Sequence, residues 1–169
     1  MAPSYTQYLL RTISERLYTD TAFRAWCNSN LGTAANVFSG VPFEVSPNSA
    51  AYPLAAVHGV GRADRGGPNT DMYIVEIGVG VEQRSKTTTP GTPPSDGFGG
   101  ALCIYDGFEL AEAMRDQAEQ AIFRAGIANG WKVDTSGQTA NDIDGWFFLS
   151  YSSIMIEVKA GAQVPQGKK

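Results

Sequence analysis

Between Asp71 and Glu82 the chain alternates without a break: Tyr73, Val75, Ile77, Val79 and Val81 fall on one side of an extended backbone, and Glu76, Gly78, Gly80 and Glu82 on the other. A period of two cannot be served by a helix, whose side chains recur every 3.6 residues, so the segment demands a sheet with one apolar face. Only that face is expected to meet a core. Such a strand reaches about 40 Å, longer than the strands of most single domains.

The neighbouring segments supply partners for it. Tyr52 to Val60 reads as a second strand, with Pro53 tolerated at its start, and the loop Gly61 to Asn69 joins the two into a long antiparallel hairpin. Near the end, Ile154, Ile156 and Val158 alternate with Met155, Glu157 and Lys159, so Trp146 to Lys159 reads as one long strand or two broken near Ser152-Ser153. Trp131 to Thr135 reads as a short strand and Asp142-Ile143-Asp144-Gly145 as a turn. Between Gly32 and Ala51 turn residues mix with single apolar ones, leaving at most a short strand around Phe43 to Val45.

Helical periodicity appears in two places. Leu9, Ile13 and Leu17 recur every four residues, which predicts an opening helix over Thr6 to Leu17 with Gln7, Arg11, Ser14 and Glu15 on its outer side. Asp20 is placed to cap a second, short helix through Ala22, Phe23 and Trp26, ended by Asn28-Ser29-Asn30 and Gly32. A long helix is expected from about Gly107 to Ala128, started by Asp106 with Glu109 three positions on, as in a capping box. Its stripe of Leu110, Ala111, Met114, Ala118, Ala121, Ile122 and Ala125 suits close packing on a sheet, with Glu109, Glu112, Asp116 and Glu119 opposite.

Gln83 to Gly100 holds a Thr/Pro run and then Gly97, Gly99 and Gly100, a composition that cannot bury a core and predicts a flexible projecting loop. Gly161 to Lys169 reads as a polar tail. Strands, a helix and more strands without regular βαβ alternation predict an α+β fold: a mainly antiparallel (mixed) sheet with helices packed on one face, as a single domain over residues 1–169.

The chemistry-bearing residues are sparse. His58 is the sole histidine, and its neighbours Val57 and Val60 place it in an ordinary strand rather than a catalytic triad. Cys27 and Cys103 lack CxxC spacing and read as reduced thiols. The glycines from Gly59 to Gly67 match neither GxGxxG nor a GK[ST] ending and read as a hairpin tip. The long helix's carboxylates have no histidine beside them, and Asp142 and Asp144 lack the further ligands of a calcium loop. No catalytic residue, metal site or cofactor is therefore expected, and the chain is not read as an enzyme. A net charge of -4 without an interior basic cluster argues against tight nucleic-acid binding. Residues 1–16 turn polar at once, unlike a signal peptide, and no apolar run is long enough for a bilayer span, so a soluble protein made in a reducing compartment is expected.

Three features point outward: the surplus strand length, Phe123 on the acidic side of the long helix, and Phe98 among the glycines of the loop. The order of elements, carried by Tyr52-Pro53-Leu54 through Val60, Met72 through Val81, Phe108 through Ile127 and Ile154 through Val158, resembles the bacteriophage tail terminator (tail completion) proteins of the head-tail neck. The resemblance implies a virion protein made in the host cytoplasm. It implies a homo-oligomeric ring, typically a hexamer, that caps the tail tube, ends its growth and meets the head-side connector. DNA would pass through without tight binding, and no membrane is involved. Glu76 and Glu82 on the polar strand face, Arg84 beyond it, and Phe98 and Phe123 are the candidate partner contacts. Two other readings are a different neck or tail-tube subunit, and a small-molecule-binding α+β domain with a pocket lined by Trp131, Trp146 and Tyr151.

Overall fold

The computed structural model describes residues 4–40, 51–63, 67–84, 86–89, 102–162 and Val164. In chain order these form α1 (Tyr5–Thr19), α2 (Thr21–Leu31), β1 (Asn36–Ser39), β2 (Leu54–Ala63), β3 (Thr70–Glu82), β4 (Lys86–Thr89), β5 (Leu102–Tyr105), α3 (Asp106–Asn129), β6 (Lys132–Asp134), β7 (Thr139–Asp144) and β8 (Phe147–Lys159). The fold is α+β. Its main sheet runs β1-β2-β3-β8-β6, with β7 lying beyond β6 along the same edge of β8.

β2 and β3 form the expected antiparallel hairpin, and β8 pairs with β3 over its whole length as one unbroken strand. β1 lies parallel to β2, which makes the sheet mixed. The alternation in β3 works as the sequence demands: Tyr73, Val75, Ile77, Val79 and Val81 are buried together with Ala55 and Val57 of β2 and Phe148, Ile154, Ile156 and Val158 of β8. Helix α1, through Leu9, Ile13 and Leu17, and helix α3, through Ala111, Met114, Ala118, Ala121 and Ile122, complete that core from the same side. The small side chains of α3 let its backbone approach the sheet, and Gly107 and Gly126 go further, since a Cβ at either would collide with Phe148 or Val133.

Several local expectations are corrected. The turn at Asp142 to Asp144 is strand β7, exposed along its entire length and held to β8 by its backbone ladder. Ser14 faces inward, its hydroxyl donating to the Leu10 carbonyl 2.8 Å away, which removes the cost of burying it. The capping box lies elsewhere than expected. α3 starts straight from β5 with Tyr105 at the N-cap and no side-chain cap, so Asp106 and Glu109 sit inside the first turn and favour it through the helix dipole. The true box is at α1, where Ser4 Oγ accepts from the Gln7 amide at 3.2 Å and Gln7 Oε1 accepts from the Ser4 amide at 3.2 Å. Ser4→Ala should cost about 1 kcal/mol in urea unfolding, and no loss would mean the box contributes nothing.

The segment Gln83 to Gly100 is not loop throughout. Lys86–Thr89 pairs antiparallel with Leu102–Tyr105 as a separate two-stranded ladder, because the Thr run has the β-branched side chains that extended backbone prefers. Residues 90–101, the proposed strand at Phe43 to Val45, and most of the polar tail lie outside the described residues.

Candidate functional site

All three helices stand on one side of the main sheet, so among the described residues no helix covers the other face. Register defines what that face presents: Leu54 and Ala56 from β2, Gly80, Gly78, Glu76 and Ile74 from β3, Phe147, Leu149, Tyr151 and Ser153 from β8, and Asp144, Asp142 and Ala140 from β7.

This face is not simply polar, which corrects the one-faced reading of β3. Gly78 and Gly80 are buried, and at Gly80 larger neighbours fold over the space the missing side chain leaves. A Cβ at Gly80 would lie 2.7 Å from the Tyr52 ring and 2.8 Å from Leu149. Tyr52 in turn packs on Phe147, ring centroids 4.6 Å apart. The result is a half-buried apolar and aromatic strip running from Tyr52 to Tyr151.

Carboxylates flank the strip. Asp144 stands across the ladder from Phe147, Asp142 from Leu149, and Glu82 from Phe147 on the other side. Burial raises the Tyr52 phenol above its ordinary value and Asp144 adds to the effect. Tyr151 is pushed up to about 12 by burial, then by Asp142 and Tyr52, so both hydroxyls remain protonated donors at neutral pH. Glu82 accepts from the Arg84 guanidinium at 2.7 and 2.9 Å. No salt bridge among the described residues engages Glu76, Asp142 or Asp144, whereas Asp20, Asp71, Glu82, Asp116, Glu119 and Glu157 each have a cation.

Beside the strip lies a cleft of about 280 Å³ bounded by His58, Glu76, Gln138, Ala140, Tyr151 and Ser153. The β2–β3 register slips between Val57 and Gly59, and this irregularity brings His58 to the cleft, its ring 6.2 Å from that of Tyr151. The odd spacing of Val57 and Val60, both packed on the core, is the trace that this slip leaves in the sequence.

Of the candidate contacts, Glu76 and Glu82 share the sheet face opposite the helices but stand six positions apart on one strand, about 20 Å, and Arg84 pairs with Glu82. Phe123 is 43% exposed on α3, on the opposite side of the molecule, with Ile127 one turn on and 69% exposed. Phe98 lies outside the described residues. The four described positions therefore do not form one site. Nor do the three residues of the alternative pocket converge: Trp131 is buried against Tyr8 near the β6 end of β8, Trp146 is exposed at the β7–β8 turn, and Tyr151 points to the open face. Cys27 is a buried free thiol raised to about 11, chiefly by burial, so it is not a thiolate nucleophile at neutral pH. Among the described residues no three His, Cys, Asp or Glu side chains are grouped to hold a metal ion. No helix there is long and apolar enough to cross a membrane.

An α+β domain whose described helices all pack on one face of a mixed sheet is thus the class the geometry defines. No protein-family model matches the chain, and no curated protein matches it.

Proposed function

We propose that the chain is a structural virion subunit of the tail-terminator kind, assembling into a ring on the tail tube, ending its polymerisation and joining it to the head-side connector. The observation that carries the reading is the pair of 13-residue strands β3 and β8, with all the described helices on one face. A core of this size is served by one face. The opposite β-surface, about 40 Å long and without a helix on it among the described residues, would serve copies of the chain or a tubular mate. The β4–β5 ladder, outside the main sheet, adds a second element suited to contact. A role of this kind needs no cofactor and no reaction centre. Another neck or tube subunit would use the same surfaces.

Electron microscopy of tails lacking a terminator, mixed with the purified chain, tests the reading: a ring at the tube end supports it, and tubes that keep growing without added density refute it. Light scattering adds the oligomeric state in solution. Glu76→Lys, a change at an exposed position, should abolish decoration of the tube end while leaving unfolding within about 1 kcal/mol of the parent. Unchanged decoration would remove the open face from the contact.

A further inference from the structure

Strand β7 is an edge of the main sheet, paired with β8 on one side only among the described residues. We infer that its outer side takes up an extended segment of a protein partner as one more strand, and that this segment alternates β-branched with basic residues. The inference goes beyond the reading above, which concerns the broad face of the sheet, and does not depend on it.

Backbone parity fixes which groups the edge offers. The Ser153 amide donates to the Gln138 carbonyl at 3.0 Å, so in this antiparallel register Gln138, Ala140, Asp142 and Asp144 form the bonded pairs with β8. Thr139, Asn141 and Ile143 then turn their N–H and C=O groups away from the sheet. Among the described residues no backbone group bonds them on that side. The one bond there is local: the Ile143 amide donates to the Asp142 carboxylate at 2.8 Å, a side-chain substitute for a cross-strand acceptor. All six residues of β7 are exposed.

The strand is nevertheless pinned from behind. Asn141 accepts from the Ser150 hydroxyl at 2.8 Å and donates to Glu112 of α3 at 2.6 Å, and Arg115 of α3 donates to Ser150 at 3.0 Å. An edge held in place this way is preorganised, so little of it has to be ordered on binding.

The side chains give the partner's chemistry. Ser150 is buried beneath α3, so Asn141, and with it Thr139 and Ile143, lies on the helix side of the sheet. Ile143 is 45% exposed and stands across the ladder from Phe148. The half-exposed Tyr105 lies 6.3 Å from both the Phe148 and Trp146 rings, and Trp146 is half-exposed as well. An apolar step beside unpaired backbone is what strand addition uses, and it suits a β-branched side chain. On the other side of β7 stand Asp142 and Asp144, so the intervening positions of the incoming strand favour lysine or arginine. Antiparallel pairing of two copies of β7 would instead gather four aspartates on one side of the new ladder, which costs free energy.

The test uses the full chain and a capped seven-residue peptide that alternates lysine with valine, lysine at both ends, read by amide hydrogen exchange and NMR. In the free chain the Thr139 and Asn141 amides should exchange freely; saturating peptide should slow them about tenfold or more, with shifts centred on residues 139–146. Methylating the valine nitrogens, which fall in register with Asn141 and Ile143, should weaken binding about tenfold by removing cross-strand bonds. Methylating the lysine nitrogens, which face away from β7, should leave binding unchanged. Asp142→Lys combined with Asp144→Lys, both at exposed positions, should reverse the preference to a peptide alternating glutamate with valine. Ile143→Ser should weaken the lysine peptide about threefold and keeps the contact testable if the double variant unfolds. Equal loss on methylating either set of nitrogens, or no slowing of the two amides, would overturn the proposal. So would their protection in the free chain together with a dimer in light scattering, which would make a second copy the occupant.

Discussion

Phe148→Ala is expected to lower the free energy of unfolding by about 3–5 kcal/mol, the largest effect of any single substitution considered for this chain. The ring has no solvent exposure and stands on β8 where the sheet meets the first turn of α3. Phe108 packs on it edge to face at 5.0 Å and Tyr105 lies 6.3 Å away. Its removal therefore opens a cavity bordered by rigid groups that cannot collapse into it. The same contact explains Gly107: a Cβ there would collide with the Phe148 ring, so Gly107→Ala should destabilise by about 1–3 kcal/mol through overpacking. The two changes are coupled. With Phe148 already alanine the clash is gone, and Gly107→Ala should become neutral or slightly favourable, as alanine is in a helix. Urea denaturation of the four proteins of the cycle decides it, and additivity within about 0.5 kcal/mol would show that helix and ring are not in repulsive contact.

That contact also shows where sequence reasoning ends. The apolar period of β3 and the alanine stripe of α3 are patterns of many residues, each reinforcing the next, and the sheet and its covering helix follow from them. Gly107 reads in sequence as part of a helix start; only the position of a ring 41 residues later makes it obligatory. Single-residue signals competed poorly in other places too. Asp106 and Glu109 have capping-box spacing but follow β5 without a linker, and Tyr105 at the N-cap has no capping side chain, while the real box is opened by Ser4, which stands ahead of the helix pattern that was legible. The candidate site was half visible. Alternation put Glu76, Gly78, Gly80 and Glu82 on one face, but the residues that fill that face, Phe147 and Leu149 of β8 and Tyr52 just ahead of β2, come from elsewhere in the chain and depend on register. β7 was hidden for the same reason. Asp142-Ile143-Asp144 has a turn's composition and is held extended by its ladder with β8, a long-range pairing that local propensity does not encode.

Arg124→Ala should destabilise the fold by about 2–4 kcal/mol at neutral pH, and the penalty should shrink as the solution is acidified. Asp20 is 3% exposed at the single residue that ends α1 and begins α2. Its carboxylate accepts from the Phe23 amide at 2.9 Å as an N-cap and from Arg124 at 2.7 and 3.0 Å in a bidentate pair that ties the junction to α3. Arg16 stands 3.4 Å away. Burial alone pushes this carboxyl upward; the Arg124 and Phe23 hydrogen bonds and the charges of Arg124 and Arg16 outweigh it and hold the group below its ordinary value. A lowered carboxyl contributes stability that is present above its unfolded value, about 3.9, and is lost as pH falls through the folded one. In Arg124→Ala the burial influence gains the upper hand, so Asp20 takes up its proton at higher pH and mild acid relieves the stranded charge. The two proteins should accordingly converge between about pH 7 and pH 3. Asp20→Asn separates the cap from the charge: asparagine caps nearly as well, so this variant should keep α2 and lose only the part of the stability that titrates. Urea midpoints across that range provide the check. A gap between wild type and Arg124→Ala that stays constant with pH would mean that the guanidinium acts through packing, and that the Asp20 charge is not what fastens the α1–α2 junction to α3.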